Sequence, residues 1–458
     1  MPLPGGLQIQ VPDSLNLITP YVLLEQGDWF EDEIKFLRKI LRPGEQIIDI
    51  GANYGTYTLT MAKAVGSNGR LWAFEPATST AQCLQSSIAA NGLNHVTLEQ
   101  CALSSAPGTA RLSLNMNSEL NALTKVASAG ESEEVPVSTL DDCMQRFGWK
   151  GIDFMKIDAE GEEENILAGG ARFFAQESPL IEFEYKAGAE VNIGLVEAFE
   201  RMGFSCYRLV PGLNLLIPFP AGTAADGYLL NLFCCKPDRA AELNRRGILA
   251  TAEDLETARK QTIPLQSSHD WRNALAGCEW CRALLSVWSE NSTQNPCPEL
   301  EAALGMFFFS HDTSFPHALR VAAMERSLQG LREICAKDAT GLSECTRARV
   351  AREFGLRQEA VASLGALTNK ILAEKQVNPR APFLLPLAET NLPPDLVMQW
   401  PVILAAVLEG LEAMSSFSSF YSGQASRGRL EFLRKIGIQS PEMARRWGLL
   451  DARFGRNA

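Results

Sequence analysis

From Gln46 to about Lys236 the chain alternates short apolar runs, rich in β-branched and aromatic residues, with segments of helical period. That alternation is the pattern of a mainly parallel sheet whose strands are returned by helices. IIDIGAN (47–53) reads as a buried strand and turn, TYTLTMAKAVG (56–66) as a helix ending at Gly66, and RLWAFEP (70–76) as a second strand stopped by Pro76. TSTAQCLQSSIAANG follows as a helix, VTLEQCALS as a third strand, IDFMKIDAEG as a fourth that ends in acids, and PLIEFEYK as a fifth. A helix around Gly194–Met202 leads to FSCYRLV and YLLNLFCCK, two closing antiparallel strands joined by a Pro- and Gly-rich connection, for an expected total of seven.

Between the third and fourth strands a polar insertion, roughly Ser104–Pro136, contains TARLSLN and EEVPVST, which predict a short hairpin or edge pairing placed to cover a site. Ahead of the sheet, DWFEDEIKFLRKILRPG spaces Trp29, Phe30, Ile34, Phe36, Leu37, Ile40 and Leu41 as an amphipathic helix stopped by Pro43 and Gly44. Beyond Asp238 the strand signal fades and helical segments are broken by NPCPEL, NPRAPFLLP and NLPPD. A chain of 458 residues also exceeds the size at which one hydrophobic core stops growing. The expected division is therefore 1–45 as an N-terminal segment packing on the catalytic domain, 46–237 as an α/β domain, and 238–458 as an all-α domain. Within the last, TRARVAREFGLRQEAVASLGALTNKIL resembles one tetratricopeptide hairpin, but no array repeats at a period of about 34 residues, so a generic helical bundle is expected.

A net charge of −12 and a pI near 5.1 oppose attraction to phosphate backbones, so nucleic acid is not an expected partner. MPLPGGLQIQVPDSLN lacks the basic start and apolar core of a signal peptide, and no apolar run reaches the roughly 18 residues of a membrane span. A cytoplasmic protein with no membrane partner is expected. The eleven cysteines make no disulfide framework; Cys278 and Cys281, the C-x-x-C pair, lack a second ligand pair for zinc and read as reduced core cysteines on a helix face. His95, His269, His311 and His317 are too scattered for a metal or catalytic cluster, and no metal is expected.

The chemistry concentrates at Asp49-Ile50-Gly51-Ala52-Asn53-Tyr54-Gly55, where a buried strand gives way to a helix. Glycines there let the chain turn sharply and bring backbone N–H groups against a ligand, while an acid at the strand end accepts from an ammonium group. Glu75 ends the second strand about 20 residues further on, the place from which a carboxylate holds the ribose hydroxyls of an adenosine. A nicotinamide dinucleotide would instead ask for G-x-G-x-x-G; here Asn53 stands at the middle glycine and Asp49 would repel a pyrophosphate.

The stretch from about Tyr21 to Lys186 resembles the FkbM-type family of S-adenosylmethionine-dependent methyltransferases, through EQGDWFEDEIKFLRKILRPG, DIGANYGTYTL, AFEP, STLDD, FMKIDAEGEEENILAGG and the IEFE strand in the family's order. The resemblance implies a Rossmann-like class I methyltransferase fold, a seven-stranded, mostly parallel sheet with helices on both faces. It implies O-methylation of a hydroxyl on a sugar, glycan or secondary metabolite, with S-adenosylmethionine converted to S-adenosylhomocysteine and no obligatory metal. By motif, Asp49, Gly51, Asn53 and Gly55 would line the methionine moiety, Glu75 the ribose, and Cys101 or Ala102 the adenine. Asp158 and Glu160, in the D-x-E-G turn, would stand beside the methyl group, one of them as general base, with Glu182 and Glu184 on the fifth strand as the next choice. The acidic run Glu162–Glu164 reads as the start of a helix. Two other readings compete: an NAD-dependent oxidoreductase, and a non-catalytic scaffold working through its helical half. That half is expected to recognise the acceptor, a protein partner or a second copy.

Overall fold

The computed structural model describes residues 1–115, 118, 121–124, 132–187, 190–337, 341–390 and 392–455. Two compact units emerge, one of residues 1–209, 216–224 and 229–248, the other of residues 210–215, 225–228 and 249–458.

The first unit is built on one sheet. Its strands are β1 (Gln46–Ile50), β2 (Arg70–Phe74), β3 (Val96–Glu99), β4 (Phe154–Ile157), β5 (Leu180–Glu184), β6 (Ser205–Val210), β7 (Leu215–Pro218) and β8 (Asn231–Cys235). They lie in the order β3-β2-β1-β4-β5-β8-β6-β7. The five from β3 to β5 are parallel, and β8 runs antiparallel to both β5 and β6. This is the expected Rossmann-like arrangement, a mostly parallel sheet with helices on both faces, with eight strands in place of seven. The extra strand is β7: Pro211–Asn214 forms a tight turn, with Asn214 at φ +51°, and LLIP after it pairs along the outer edge of β6. The connection expected between the closing strands hides it, because Pro and Gly dominate the local composition.

Alternation along the strands assigns the two faces. Trp72, Phe74 and Phe183 point to one, where Trp72 meets Phe147 of the Leu140–Phe147 helix at 6.2 Å and Phe183 meets Phe199 of the Ile193–Arg201 helix at 4.9 Å. Phe233 and Lys156 point to the other, against Phe36 of the Asp32–Ile40 helix at 5.4 Å and Tyr57 of the Thr56–Val65 helix at 4.7 Å. Ile34, Phe36, Leu37 and Ile40 are buried, so the amphipathic stripe read from the sequence is the face that docks on the sheet; Trp29 and Phe30 precede the helix.

VTLEQCALS does not continue as one strand. It breaks at Gln100–Cys101, and Ala102–Leu103 joins a separate four-stranded sheet with Gly108–Ser113, Ala122–Thr124 and Ser132–Ser138. TARLSLN and EEVPVST pair antiparallel inside that sheet. The Pro237–Arg245 helix belongs with the first unit, where Arg239 pairs with Asp153 at 3.3 Å, so the boundary falls after Ile248 rather than at 237.

The second unit is helical, and its long helices Pro298–His311, His317–Lys337, Ser343–Phe354, Arg357–Glu374 and Trp400–Ser415 each pack on the one before. Cys278 and Cys281 lie in the turn between the Trp271–Ala274 and Leu285–Gln294 helices and not on a helix face. Among the described residues no single helix is long and apolar enough to cross a membrane. Deep in this unit Glu412 accepts from Ser426 Oγ at 2.5 Å, Arg429 Nε at 2.7 Å and Arg446 Nη1 at 3.2 Å, and both Glu412 and Arg446 are enclosed. Removing Arg446 takes one of two guanidinium partners from the enclosed Glu412 carboxylate. Arg446→Met should cost about 3 kcal/mol of unfolding free energy, and the double variant Glu412→Leu/Arg446→Met should recover most of it. Urea titration followed by circular dichroism checks both; a single variant as stable as wild type would show the pair to be idle.

Candidate active site

Two loops meet at the carboxyl ends of β1 and β4. After β1 the N–H groups of Gly51 and Ala52 both donate to Phe74 O at 3.0 Å, turning the chain out of the sheet. Gly51 has φ +80°, and a Cβ there would lie 1.7 Å from the Asp158 carbonyl oxygen of the facing loop. Gly55 has φ +97°, and a Cβ there would lie 2.4 Å from Leu84 Cδ1. Both positions therefore demand glycine. Among the described residues positive φ outside glycine occurs at Asn53, Glu160, Asn214 and Lys375, and the first two sit in these loops. Backbone held in this region costs free energy, and such residues cluster where a site needs them.

Each loop is tied down by a carboxylate. Glu75, at the end of β2, accepts from the N–H groups of Asn53 and Ala77, both at 2.9 Å, one on each oxygen. Burial pushes its carboxyl up to about 7 against the pull of those two donors. Asn53 spends its side-chain oxygen on the Tyr54 N–H at 2.7 Å and on Ser118 Oγ at 2.9 Å, so it shapes the turn. In the facing loop Glu163 accepts from the N–H groups of Ala159 at 3.0 Å and Gly161 at 3.2 Å, while Glu162 accepts from Ser104 Oγ at 2.9 Å. The acidic run thus stitches the D-A-E-G turn as well as opening the Glu163–Ala168 helix. Cys101 and Ala102 follow β3, both buried. Burial and the neighbouring Cys143 raise the Cys101 thiol to about 12, so it is a neutral wall.

Beneath the loops the strand register sets Asp49, Lys156, Glu182 and Phe233 in one row across β1, β4, β5 and β8. Lys156 Nζ donates to Asp158 Oδ2 at 2.5 Å. Burial opposes its charge, but Asp158, Asp49, Glu182 and Glu31 together outweigh burial and hold its pKa above the usual lysine value. Asp49 is fully enclosed; Oδ2 accepts from Thr58 Oγ1 at 2.5 Å, and Oδ1 has no partner. Burial raises its carboxyl even with Lys156 and Thr58 opposing. Glu31, ahead of the docking helix, accepts from Tyr57 Oη at 2.5 Å, and burial raises it too.

The structure brings Asp49, Gly51, Asn53, Gly55 and Glu75 together around the first loop and Asp158 and Glu160 into the second. Glu182 is placed differently from the reading that made it an alternative base. It is fully enclosed in the row below, and neither carboxyl oxygen has a hydrogen-bond partner. Burial drives its pKa well up. Glu184, one pleat nearer the edge, is partly exposed and lies close enough to Asp158 and Glu160 to feel their charges.

Residues 49–206 match the family model described as the methyltransferase FkbM domain. The 31-O-demethyl-FK506 methyltransferase FkbM of Streptomyces tacrolimicus is 28% identical over 162 residues, covering 28% of this chain and 60% of that protein. Residues 49–206 are similar to FkbM methyltransferase domains. Solved structures with a similar sheet include an S-adenosylmethionine-dependent O-methyltransferase from Thermotoga maritima (16% identity, TM-score 0.26, 44% of this chain and 64% of that one). Fibrillarin from Aeropyrum pernix with bound S-adenosyl-L-methionine is another (13% identity, TM-score 0.26, 42% and 67%). This chain spans about 60% of the length of the curated relative it matches.

Sequence reasoning missed Lys156, Tyr57 and Glu31 at this site. A trace existed for the first: a lysine inside the otherwise apolar strand FMKI, two residues from Asp158, shares its face. Glu31 and Tyr57 carry none, because only the docking of a helix on the sheet brings them together. Glu184 gives the domain a pH signature. Burial, with Asp158 and Glu160 adding to it, raises its carboxyl to about 9. A carboxyl raised on folding supplies stability that is complete below the unfolded value of about 4.3 and is lost as pH climbs through the folded one. Glu184→Gln should therefore be more stable than wild type at pH 8, by at least about 1 kcal/mol, with the gap closing towards pH 5. Urea unfolding at both pH values checks this, and a constant gap would contradict the environment described for Glu184.

Proposed function

We propose that the domain at residues 49–206 transfers a methyl group from S-adenosylmethionine to a hydroxyl of a sugar, glycan or secondary metabolite. The observation that carries this reading is the pairing of two strained loops over a buried carboxylate, Asp49, whose Oδ1 has no partner. A buried acceptor of this kind suits an ammonium group, as an amino-acid-like tail would provide. Glu75 suits a diol: each of its oxygens already takes one backbone N–H and keeps a lone pair for a ribose hydroxyl. Cys101 and Ala102 offer neutral, buried surface beside it for an adenine. The residues present fit the cofactor, which supplies an electrophilic methyl group on a sulfonium cation.

The remaining chemistry belongs to the chain. Glu160, held at φ +49° in the D-A-E-G turn, is the proposed base that takes the acceptor's hydroxyl proton on its carboxylate. Asp158, tied to Lys156, fixes the other side of the same turn. Holding the hydroxyl oxygen in line is worth more than the proton transfer, which contributes about 10²- to 10⁴-fold. Asn53 stands where G-x-G-x-x-G would need its middle glycine, which disfavours a nicotinamide reading.

Glu75→Ala should weaken S-adenosylhomocysteine binding about ten- to a hundredfold by calorimetry, or roughly 1.5–3 kcal/mol; unchanged affinity would remove Glu75 from the ribose. Glu160→Gln should lower kcat by about 10²- to 10⁴-fold while leaving that affinity in place. Transfer of labelled methyl groups into fractionated hydroxylated metabolites and glycans supplies the assay. A protein that binds NADH and ignores S-adenosylhomocysteine would overturn the whole reading.

A further inference from the structure

Lys156 stands between two acids and gives its hydrogen bond to a third. Parallel register puts its side chain on the same face as Asp49 of β1 and Glu182 of β5. Adjacent strands lie about 4.8 Å apart, well within the reach of a four-carbon stem. Yet Asp49 Oδ1 and both Glu182 oxygens, all enclosed, have no hydrogen-bond partner. The ammonium goes instead to Asp158 Oδ2, at 2.5 Å, on the partly exposed acid two residues further along. Tyr57 supports it there. Its ring centre lies 4.7 Å from Nζ, and its hydroxyl is anchored on Glu31 at 2.5 Å, which Asn231 Nδ2 also holds at 3.3 Å.

We propose that Asp158 is a positioning residue for the donor: by holding the Lys156 ammonium it keeps Asp49 Oδ1 open for the ammonium of S-adenosylmethionine. The inference rests on the methyl-transfer reading above. Thr58 Oγ1 already donates to Asp49 Oδ2 at 2.5 Å, so Asp49 has a single oxygen to offer. Two ammonium groups crowded on that oxygen would repel one another.

Without the Asp158 charge the buried ammonium must find another anion. Asp49 and Glu182 flank it. Asp49 attracts Lys156 more strongly than Glu182 does, and burial, which raises both carboxyls, drives that of Glu182 well up. Lys156 therefore turns to Asp49 and fills the place meant for the ligand. An acid of the second loop thus keeps the pocket of the first loop open.

The test is calorimetry on the full chain with two ligands, S-adenosylhomocysteine and methylthioadenosine, the second of which keeps the adenosine and sulfur but lacks the amino-acid tail. Asp158→Asn should weaken S-adenosylhomocysteine binding about ten- to a hundredfold and leave methylthioadenosine binding as in wild type. The double variant Lys156→Met/Asp158→Asn should recover most of that loss, because no ammonium remains to fill the place. A misshapen turn would lower both affinities, and removing the lysine would not repair it. Asp158→Ser gives the same comparison if the asparagine variant does not fold. Unchanged S-adenosylhomocysteine affinity in Asp158→Asn would send Lys156 to Glu182 and overturn the proposal. A loss shared with methylthioadenosine, or one that persists in the double variant, would overturn it as well. A wild-type chain that binds neither ligand is a different result, and it would remove the methyl-transfer reading together with this inference.

Discussion

Where β1 and β4 end side by side, the Gly51 backbone meets the Asp158 carbonyl so closely that a Cβ would sit 1.7 Å from the oxygen. That approach sets the spacing of the two loops. The first can then deliver the Asn53 N–H to Glu75, and the second can hold Glu160 at positive φ with Glu163 spanning its amides. Parallel register does the rest. It places Asp49 directly across from Lys156, and Lys156 two residues from the Asp158 it neutralises. A loop on one strand and a carboxylate on the next are thus one mechanical unit.

The charge row below the loops runs against ordinary core design, in which buried ions are paired. One ammonium, Lys156, serves Asp158, Asp49, Glu182 and Glu31. A single positive charge cannot neutralise four carboxylates, and three of them, Asp49, Glu31 and Glu182, have a raised proton affinity. Burial lifts Asp49, Glu31 and Glu182, and Glu75 and Glu184 nearer the edge behave alike. Neutral acids cost far less to bury than anions. Local rules are broken here in the way expected of a functional site, and the aromatic packing of both sheet faces compensates.

Much of this was legible in the sequence because it rests on local chemistry. A buried strand IIDI running into G-A-N-Y-G locates the first loop, and AFEP locates Glu75, since both the turn and the strand end are determined within a few residues. The docking helix announced itself through its apolar spacing. What could not be read depends on partners far along the chain. Glu182 looks like an exposed alternate of a half-polar strand, yet Tyr57 and Glu31 come from other elements to enclose it. The break at Gln100–Cys101, which sends Ala102 into a second sheet, has no Gly or Pro to mark it. Cys278 and Cys281 lie in a helix-rich stretch, so a helix face was the natural expectation; the turn arises from how Trp271, Trp280 and Trp288 pack.

The two halves of the site differ in how much substitution they should bear, and the reason is geometric. At Gly51 and Gly55 the forbidden volume is a backbone oxygen and a packed leucine, which nothing on a side chain can replace. Around Glu160, Gly161 has φ +97° but an added Cβ would meet open space, so conformation is the sole demand there. The loop carrying Gly51 and Gly55 is therefore constrained by conformation and by close packing together. In the loop carrying Glu160 the demand at Gly161 is conformational, since an added Cβ there meets open space. The first loop therefore admits less substitution than the second, and the difference is built into the backbone of the fold.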